Sequence, residues 1–420
     1  MTPSSLIRKR FFAWTQAWQS VDWLLLVLPI GMTIFASLLI GSTQLHLGKA
    51  DLAWNHAVMG LIGVALALWF ARSRYEALLE WRWVIYAITN ISLVLVMLFG
   101  TVGNGAQSWI PIGSFYVQPS EFAKIGLIIT LAAILKDRNS VTLMGLVKAL
   151  AITAIPWVLV FLQPDLGTAL VFGAITVGML YWSNMNPGWL VLLVSPIIAA
   201  IVFHVSLPVW VGWVVFTGIL AWFTLPLPLY STVATVVVNS VSGKLGSLLW
   251  GLLQDYQKDR LLLFTNPEKD PLGGGYHLIQ SKIAIGSGQL WGRGLFQGTQ
   301  TQLSFIPEQH TDFIFSAVGE ELGFMGAIAL VIAYWLICLR LMIIAQNAKD
   351  NFGSLLAVGV LSMIVFQVII NIGMTIGIAP ITGIPLPWMS YGRSAILTNF
   401  IAVGIVESVA NFRFRLKFTD

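Results

Sequence analysis

Charged side chains inside or at the ends of long apolar stretches are the residues of this sequence best suited to chemistry. Such residues are costly in lipid and usually have a function. Glu121 and Lys124 are three residues apart, so on a helix they share one face and can pair. Asp165 follows a proline between two apolar runs, and Asp312 opens another run after a long polar stretch. A carboxylate in such a place can act as a general base.

Each of these residues also has a structural explanation. Glu121 and Lys124 can form a neutral pair that only stabilises the protein. Asp165 and Asp312 can cap helix N-termini, a position that aspartate favours. His310, two residues before Asp312, can equally be a loop residue that makes hydrogen bonds. Residue type and spacing therefore leave a structural role and a chemical role open at every one of these positions.

The composition indicates which elements must position these side chains. The 420 residues are 57% hydrophobic and 10% charged, and they carry a formal net charge of +5. A soluble domain is about 25% charged, so this chain cannot cover a soluble surface of its size. The single cysteine, Cys338, excludes an intrachain disulfide and a multi-cysteine metal site. The sequence predicts an all-α, polytopic integral membrane protein, and its basic excess indicates membrane topology rather than nucleic-acid binding.

About twelve apolar runs are long enough to cross a bilayer as helices, which need about 20 residues each. They lie at 21–40, 53–71, 83–100, 120–136, 143–163, 166–183, 188–206, 208–227, 231–253, 312–338, 354–376 and 391–411. We predict one membrane domain over 1–420, a bundle of about 10–12 transmembrane helices. The region 188–253 is expected to contain an extra hydrophobic hairpin.

Basic residues fall in alternate segments between the runs, which predicts cytoplasmic N- and C-termini. With that orientation, Glu121, Lys124, Asp165, Asp312 and Arg393 all lie at outer ends of spans. The long polar stretch 254–311, which contains Arg293, becomes an extracytoplasmic loop above them. Acids and bases collected at one membrane face under a long loop predict a site that faces outward.

Several separated motifs resemble those of one family. They are Gln118-Pro119-Ser120-Glu121-Phe122-Ala123-Lys124, Gln163-Pro164-Asp165, His310-Thr311-Asp312-Phe313-Ile314-Phe315, Gly319-Glu320-Glu321-Leu322-Gly323 and Gly383-Ile384-Pro385-Leu386-Pro387. In this order they resemble the SEDS family (shape, elongation, division and sporulation). The loop strings Asp270-Pro271-Leu272-Gly273 through Tyr276-His277 and Gly298-Thr299-Gln300 are more similar to the RodA branch than to the FtsW branch. One departure is Arg393, because the family usually has glycine after Ser390-Tyr391-Gly392.

The resemblance implies a peptidoglycan glycosyltransferase of the plasma membrane that acts in cell elongation and rod-shape maintenance. Its substrate would be lipid II, polymerised at the outer face. The family's loop aspartate corresponds to Asp312, which we expect to be the catalytic base. Transfer that inverts the anomeric centre needs no covalent nucleophile, but the leaving pyrophosphate needs a counter-charge. A divalent cation, Mg²⁺, held by Asp312 and the substrate phosphates could supply that charge.

The resemblance also suggests substrate-binding residues and partners. The expected substrate-binding residues are Glu121, Lys124, Asp165, Arg293, His310 and Arg393. The chain has no S-x-x-K motif, so a separate class B penicillin-binding transpeptidase, among other elongation-complex proteins, must cross-link the product. Small residues of the penultimate run, including Ala357 and Gly359, are the expected lipid-facing contact for its span.

Two other functions suit a polytopic chain with charged residues. One is a lipid II flippase or transporter, and the other is a non-catalytic scaffold of the wall-synthesis complex. A transport path should place charges in the middle of spans, and Glu320 and Glu321 are the only hints of that. They are expected instead to hold helix contacts.

Overall fold

The fold is taken from a computed structural model of the chain. It describes residues 21–45, 51–103, 106–113, 115–137, 142–252, 258, 270, 275–303 and 305–413. The basic N-terminal segment, the basic tail after residue 413, and most of the first part of the 254–311 loop therefore lie outside the described residues.

Fourteen α-helices occur in the described part of the chain, and we number them in chain order. The first nine are Trp23–Gln44 (α1), Asp51–Arg72 (α2), Glu76–Phe99 (α3), Pro119–Leu135 (α4), Leu143–Leu162 (α5), Leu166–Trp182 (α6), Pro187–Val205 (α7), Leu207–Thr224 (α8) and Pro228–Leu252 (α9). The other five are Tyr276–Ser287 (α10), Thr299–Gln302 (α11), Ile314–Gln346 (α12), Asn351–Ile376 (α13) and Arg393–Phe412 (α14).

Each of the twelve predicted apolar runs coincides with one long helix. Eight of the described helices are long and apolar enough to cross a membrane by length and composition alone. The prediction of an all-α, multi-pass membrane protein is therefore confirmed. The region 188–253 contains three helices, α7 to α9, which pack mainly on one another, and α7 also contacts α6.

The loop predicted between α3 and α4 contains a small antiparallel sheet. Its strands are Thr101–Gly103 (β1), Ala106–Ile112 (β2) and Phe115–Val117 (β3), in the order β1-β2-β3. In the second pairing Ile112 lies opposite Phe115, and Gly113 in the turn has a positive φ of 62°. Glycine adopts that conformation without steric cost, which explains how so short a turn closes.

The helix α12 is broken near its start. Gly323 has φ 67° and ψ −163°, which are not helical values. The break frees backbone groups that pair with the preceding loop, because Phe324 N donates to Gln289 O at 2.8 Å and Met325 N to Leu290 O at 3.1 Å. The loop before α11 is thus bound to α12 through main-chain hydrogen bonds.

The penultimate helix α13 runs through the middle of the bundle. Ala357 is 0% exposed, and a side chain at Gly359 would meet Ile128 and Met179. The expectation that these small residues face lipid and contact a partner is therefore wrong. They let α4 and α6 approach α13 closely, and their small size reflects packing within the chain.

At the end of the bundle where α1 and α3 begin, ionic contacts join several helices. Arg340 of α12 forms an ion pair with Asp22, whose backbone N–H donates to Glu407 Oε2 at 3.0 Å. Tyr75 OH donates to Asp350 Oδ2 at 3.1 Å. Burial, followed by the neighbouring Asp350 carboxylate, raises the pKa of the Tyr75 phenol well above its ordinary value. These contacts hold the end opposite the candidate site together.

Candidate functional site

The N-terminal ends of α4, α6 and α14 meet at one end of the bundle, here called the site end. Gln118, the residue before α4, connects them through two hydrogen bonds. Its backbone N–H donates to Ser394 Oγ at 2.9 Å, and its Nε2 donates to Asp165 Oδ2 at 3.3 Å. Residues far apart in sequence therefore converge at one end of the bundle, the end that the distribution of basic residues predicts to be outer.

Asp165 has the structural role that the sequence left open. It is the N-cap of α6, and its carboxylate accepts from Thr168 N at 3.0 Å and Thr168 Oγ1 at 2.8 Å. Because its second oxygen also accepts from Gln118, Asp165 joins two helix starts at the site end. Its position beside the site is established by geometry, and its contact with substrate remains a prediction.

Asp312 lies half-buried just before α12, which begins at Ile314 without a side-chain capping hydrogen bond. The three successive carbonyls of residues 310–312 each accept a hydrogen bond from the α13–α14 region. The donors are Tyr391 N to His310 O at 2.9 Å, Ser390 Oγ to Thr311 O at 2.6 Å, and Asn371 Nδ2 to Asp312 O at 2.9 Å. The segment that carries Asp312 is therefore fixed by its backbone to the site end.

Aromatic and cationic groups lie next to this segment. The rings of His310 and Tyr391 have centroids 5.8 Å apart, and Arg393 Nε donates to Tyr391 Oη at 3.3 Å. The Arg393 guanidinium also lies 5.0 Å above the ring centroid of Phe115 on β3, which is cation–π distance. His310, Arg393 and Asp312 thus lie in one neighbourhood, and the small sheet contacts it.

Glu121 and Lys124 form a buried ion pair one turn into α4. Lys124 Nζ lies 2.7 Å from Glu121 Oε1, and the two side chains are about 1–2% exposed. Glu121 Oε2 has no hydrogen-bond partner among the described residues. The predicted pairing of Glu121 with Lys124 is therefore confirmed geometrically.

Arg293 belongs to the loop that docks on α12. Its backbone N–H donates to Glu320 O at 3.0 Å, and its Nη1 donates to Thr299 Oγ1 at 2.8 Å. The contacts described for its exposed side chain are with the loop, and none joins it to the Asp312 segment. Its role with substrate stays a prediction.

Glu320 and Glu321 are fully buried and hold the same loop. The Glu320 carboxylate accepts from Gln300 N and Thr301 N, both at 2.8 Å. Glu321 accepts from Ser42 Oγ of α1 at 2.5 Å and from Phe296 N at 3.3 Å. These contacts agree with the expectation that both acids are structural. Glu320 and Glu321 were the mid-span charges that favoured a transport path, and their hydrogen bonds to the loop and to α1 explain their presence without one.

The residues at the site fit a metal ion that is held partly by substrate phosphates better than one held by protein ligands alone. Among the described residues, no group of three or more His, Cys, Asp or Glu side chains could hold a metal ion. Mg²⁺ is commonly held by one or two carboxylates with substrate phosphates and water. The half-buried Asp312 carboxylate fits that arrangement as the single protein ligand.

Sequence reasoning missed several uncharged residues of the site. Asn371 and Ser390 hold the Asp312 segment, Gln118 joins two helix starts, and Gln309 donates to Thr43 O at 2.8 Å. The sequence could have indicated Asn371, because a polar amide inside an apolar run needs a hydrogen-bond partner within the membrane. The missed residues contact segments that are distant in sequence, which residue type alone does not reveal.

The sequence matches the family of FtsW, RodA and SpoVE, described as cell cycle protein, over residues 18–216 and 209–414. It is 34% identical over 400 residues to the peptidoglycan glycosyltransferase MrdB of Escherichia coli strain K12, covering 94% of this chain and 95% of that protein. It is 36% identical over 420 residues to the peptidoglycan glycosyltransferase RodA of Treponema pallidum, covering 92% and 97%.

The fold is also similar to that of a chain in a solved structure, which concerns the structural coordination of polymerization and crosslinking by a peptidoglycan synthase complex. The TM-score is 0.71 at 25% sequence identity, with 94% of this chain and 99% of that chain covered. The motifs at the site end, the sequence matches and the fold agree with one another. The chain belongs to the SEDS family, the family of FtsW, RodA and SpoVE.

Proposed function

We propose that this chain is a peptidoglycan glycosyltransferase that polymerises lipid II into glycan strands during cell elongation. The observation that supports it best is the half-buried Asp312, held among polar and cationic groups at one end of a membrane bundle. Relatives that span nearly the whole chain carry the same activity in their names.

The proposed reaction is direct displacement at the anomeric carbon of the donor sugar. The acceptor hydroxyl attacks, the bond to the pyrophosphate oxygen breaks, and the configuration inverts. Asp312 accepts the hydroxyl proton, so that positive charge does not accumulate on the attacking oxygen as the new bond forms. A covalent serine or cysteine nucleophile is unnecessary for this route.

The departing pyrophosphate needs positive charge close to it. Arg393 lies beside the Asp312 segment through Tyr391, which makes it the nearest guanidinium candidate among the expected substrate-binding residues. Lys124 is neutralised in part by Glu121 and lies deeper in α4. Mg²⁺ bound to Asp312 and the phosphates would add Lewis-acid stabilisation of the leaving group.

The site end faces the extracytoplasmic side of the plasma membrane in this proposal. Positive-inside counting supports that orientation. The contacts of the described residues support the grouping, because the starts of α4, α6, α12 and α14 lie together at one end.

A class B penicillin-binding transpeptidase is the proposed partner. The solved structure with the similar fold concerns a complex in which polymerization and crosslinking are coordinated. This chain has no S-x-x-K motif with which to cross-link peptides itself. Both observations support an assembly in which the second step belongs to another protein.

Purified protein with fluorescent lipid II and Mg²⁺ tests the activity directly. We expect ladders of glycan strands on a gel, and their loss when a chelator removes the divalent ion. Vesicles that contain the protein and lipid II test the alternative, because a flippase would move lipid II between leaflets without making polymer. Transport without polymer would contradict the proposal.

A further inference from the structure

Asn371 is a fully buried residue near the end of α13, and its side-chain amide contacts the backbone of Asp312. Its Nδ2 donates to Asp312 O at 2.9 Å and to Ile384 O at 2.8 Å. Both hydrogens of one amide group are thus used to join the aspartate to the connection between α13 and α14. A residue buried at this depth would otherwise be expected to be apolar.

Ser390 makes the neighbouring contact through one accepted and one donated hydrogen bond. Its Oγ accepts from Leu386 N at 2.7 Å and donates to Thr311 O at 2.6 Å. Its side chain is 3% exposed, so the hydroxyl has protein partners in place of water. The serine therefore connects a tight turn of the α13–α14 connection to the residue just before Asp312.

The turn that carries Asp312 is closed by its own backbone, since Thr311 N donates to Glu308 O at 3.1 Å and Phe313 N donates to the same oxygen at 3.3 Å. No side-chain capping bond supports the start of α12. A reacting group is normally held to within about half an ångström of its productive position by supporting hydrogen bonds. The two side-chain donors are the part of this support that substitution can remove selectively.

We propose that Asn371 and Ser390 are positioning residues, which hold the Asp312 carboxylate in place for the glycosyl transfer through the carbonyls of Asp312 and Thr311. This inference rests on the proposed function. It predicts that loss of either donor slows the chemical step and leaves substrate binding nearly unchanged. A displacement of about 1 Å at a reacting group can lower the rate by about 100-fold.

Two variants with matched controls test the proposal in the full-length protein. Asn371→Asp removes both donated hydrogen bonds and keeps the shape. Its control is Asn239→Asp, since Asn239 is also buried and its Nδ2 also donates twice, to Ser195 Oγ and Thr235 O within the α7–α9 helices. Ser390→Ala is matched by Ser408→Ala, because Ser408 Oγ also donates to a backbone carbonyl, that of Ser73, at the opposite end.

The measurements are kcat and KM for fluorescent lipid II, with the melting temperature of each variant. We expect kcat to fall about 10- to 100-fold in Asn371→Asp and Ser390→Ala, with KM within about twofold of the starting protein. The control variants should keep both constants within about twofold. If Asn371→Asp does not fold, Ser390→Ala decides the question by itself.

Unchanged kcat in folded Ser390→Ala, or a rise in KM with kcat preserved, would overturn the positioning role. A drop in kcat that the matched control reproduces would also overturn it, since the loss would then follow from general destabilisation. If the starting protein makes no polymer at all, the proposed function has failed, and this result is distinct from failure of the positioning role.

Discussion

Asp312 is the residue whose substitution tests the proposed reaction most directly. Asp312→Asn keeps the size of the side chain and its backbone contacts but removes the proton acceptor. We expect polymerisation of lipid II to be abolished while expression and melting temperature stay unchanged. Glu308→Gln is the control, because Glu308 is an exposed acid in the same turn. Near-normal glycan ladders from purified Asp312→Asn would show that another group is the base.

The buried pair of Glu121 and Lys124 tests the electrostatics of the site end. Replacement of Lys124 by methionine leaves the Glu121 carboxylate buried and unpaired, which costs about 3–5 kcal/mol. The double exchange of Glu121→Lys with Lys124→Glu should restore melting temperature better than either single change. The much more exposed pair of Glu76 and Lys349, 3.9 Å apart, is the control, since pairs near the surface contribute about 0–1 kcal/mol.

The decisive measurement for that pair is thermal stability in detergent. Equal melting temperatures for Lys124→Met and Lys349→Met would mean that burial does not strengthen the Glu121–Lys124 interaction. Loss of activity with full stability would instead point to a direct role of the pair with substrate.

At the scale of elements, the break in α12 is the feature most sensitive to a small substitution. A Cβ at Gly323 would lie 2.3 Å from Gly292 N and 2.7 Å from Leu290 O, in a backbone conformation that strains other residues. We expect Gly323→Ala to lower stability by at least about 1–3 kcal/mol. It should also loosen the loop over the site, visible as faster hydrogen exchange at residues 289–303.

Gly173 on α6 provides the comparison for that prediction. A Cβ there meets no atom within 4 Å, so Gly173→Ala should be neutral or stabilising by about 0.5–1 kcal/mol. Similar melting temperatures for the two variants would rule out the steric explanation of the break.

At the scale of the whole molecule, the orientation in the membrane can be measured with single cysteines. In a Cys338→Ser background, Tyr116→Cys and Leu303→Cys should react with an impermeant maleimide on intact cells, since these side chains are 54% and 64% exposed at the site end. Asn347→Cys, exposed at the opposite end, should react only after permeabilisation. The reverse pattern would place the site end in the cytoplasm.

The assembly with a transpeptidase is the second prediction for the whole molecule. Co-expression with the cognate class B transpeptidase should raise polymerase activity, because the part of that partner outside the membrane would contact the loop segment around residues 289–294, which is bound to α12. A partner reduced to its membrane span is the control, and it should bind without stimulation. An isolated chain that is fully active and insensitive to the partner would argue against this coupling.

Amino-acid composition and hydrophobic run length determined most of the fold. Twelve runs predicted twelve helices with ends that differ by up to eight residues, because a bilayer requires an apolar helix of about 20 residues. Spacing also predicted the Glu121–Lys124 pair, since residues three apart on a helix are neighbours. Motif strings were enough to identify the family and to single out Asp312.

Only the tertiary structure decided which residues surround Asp312 and which small residues are buried. Asn371 and Ser390 reach it through contacts between segments 59 and 79 residues apart, respectively, and such contacts leave no periodic signal in sequence. The same limit made the interpretation of Ala357 and Gly359 wrong, because small residues favour close helix packing within the chain as well as between chains. Helix periodicity describes one element at a time, whereas burial and site geometry depend on how all the elements pack together.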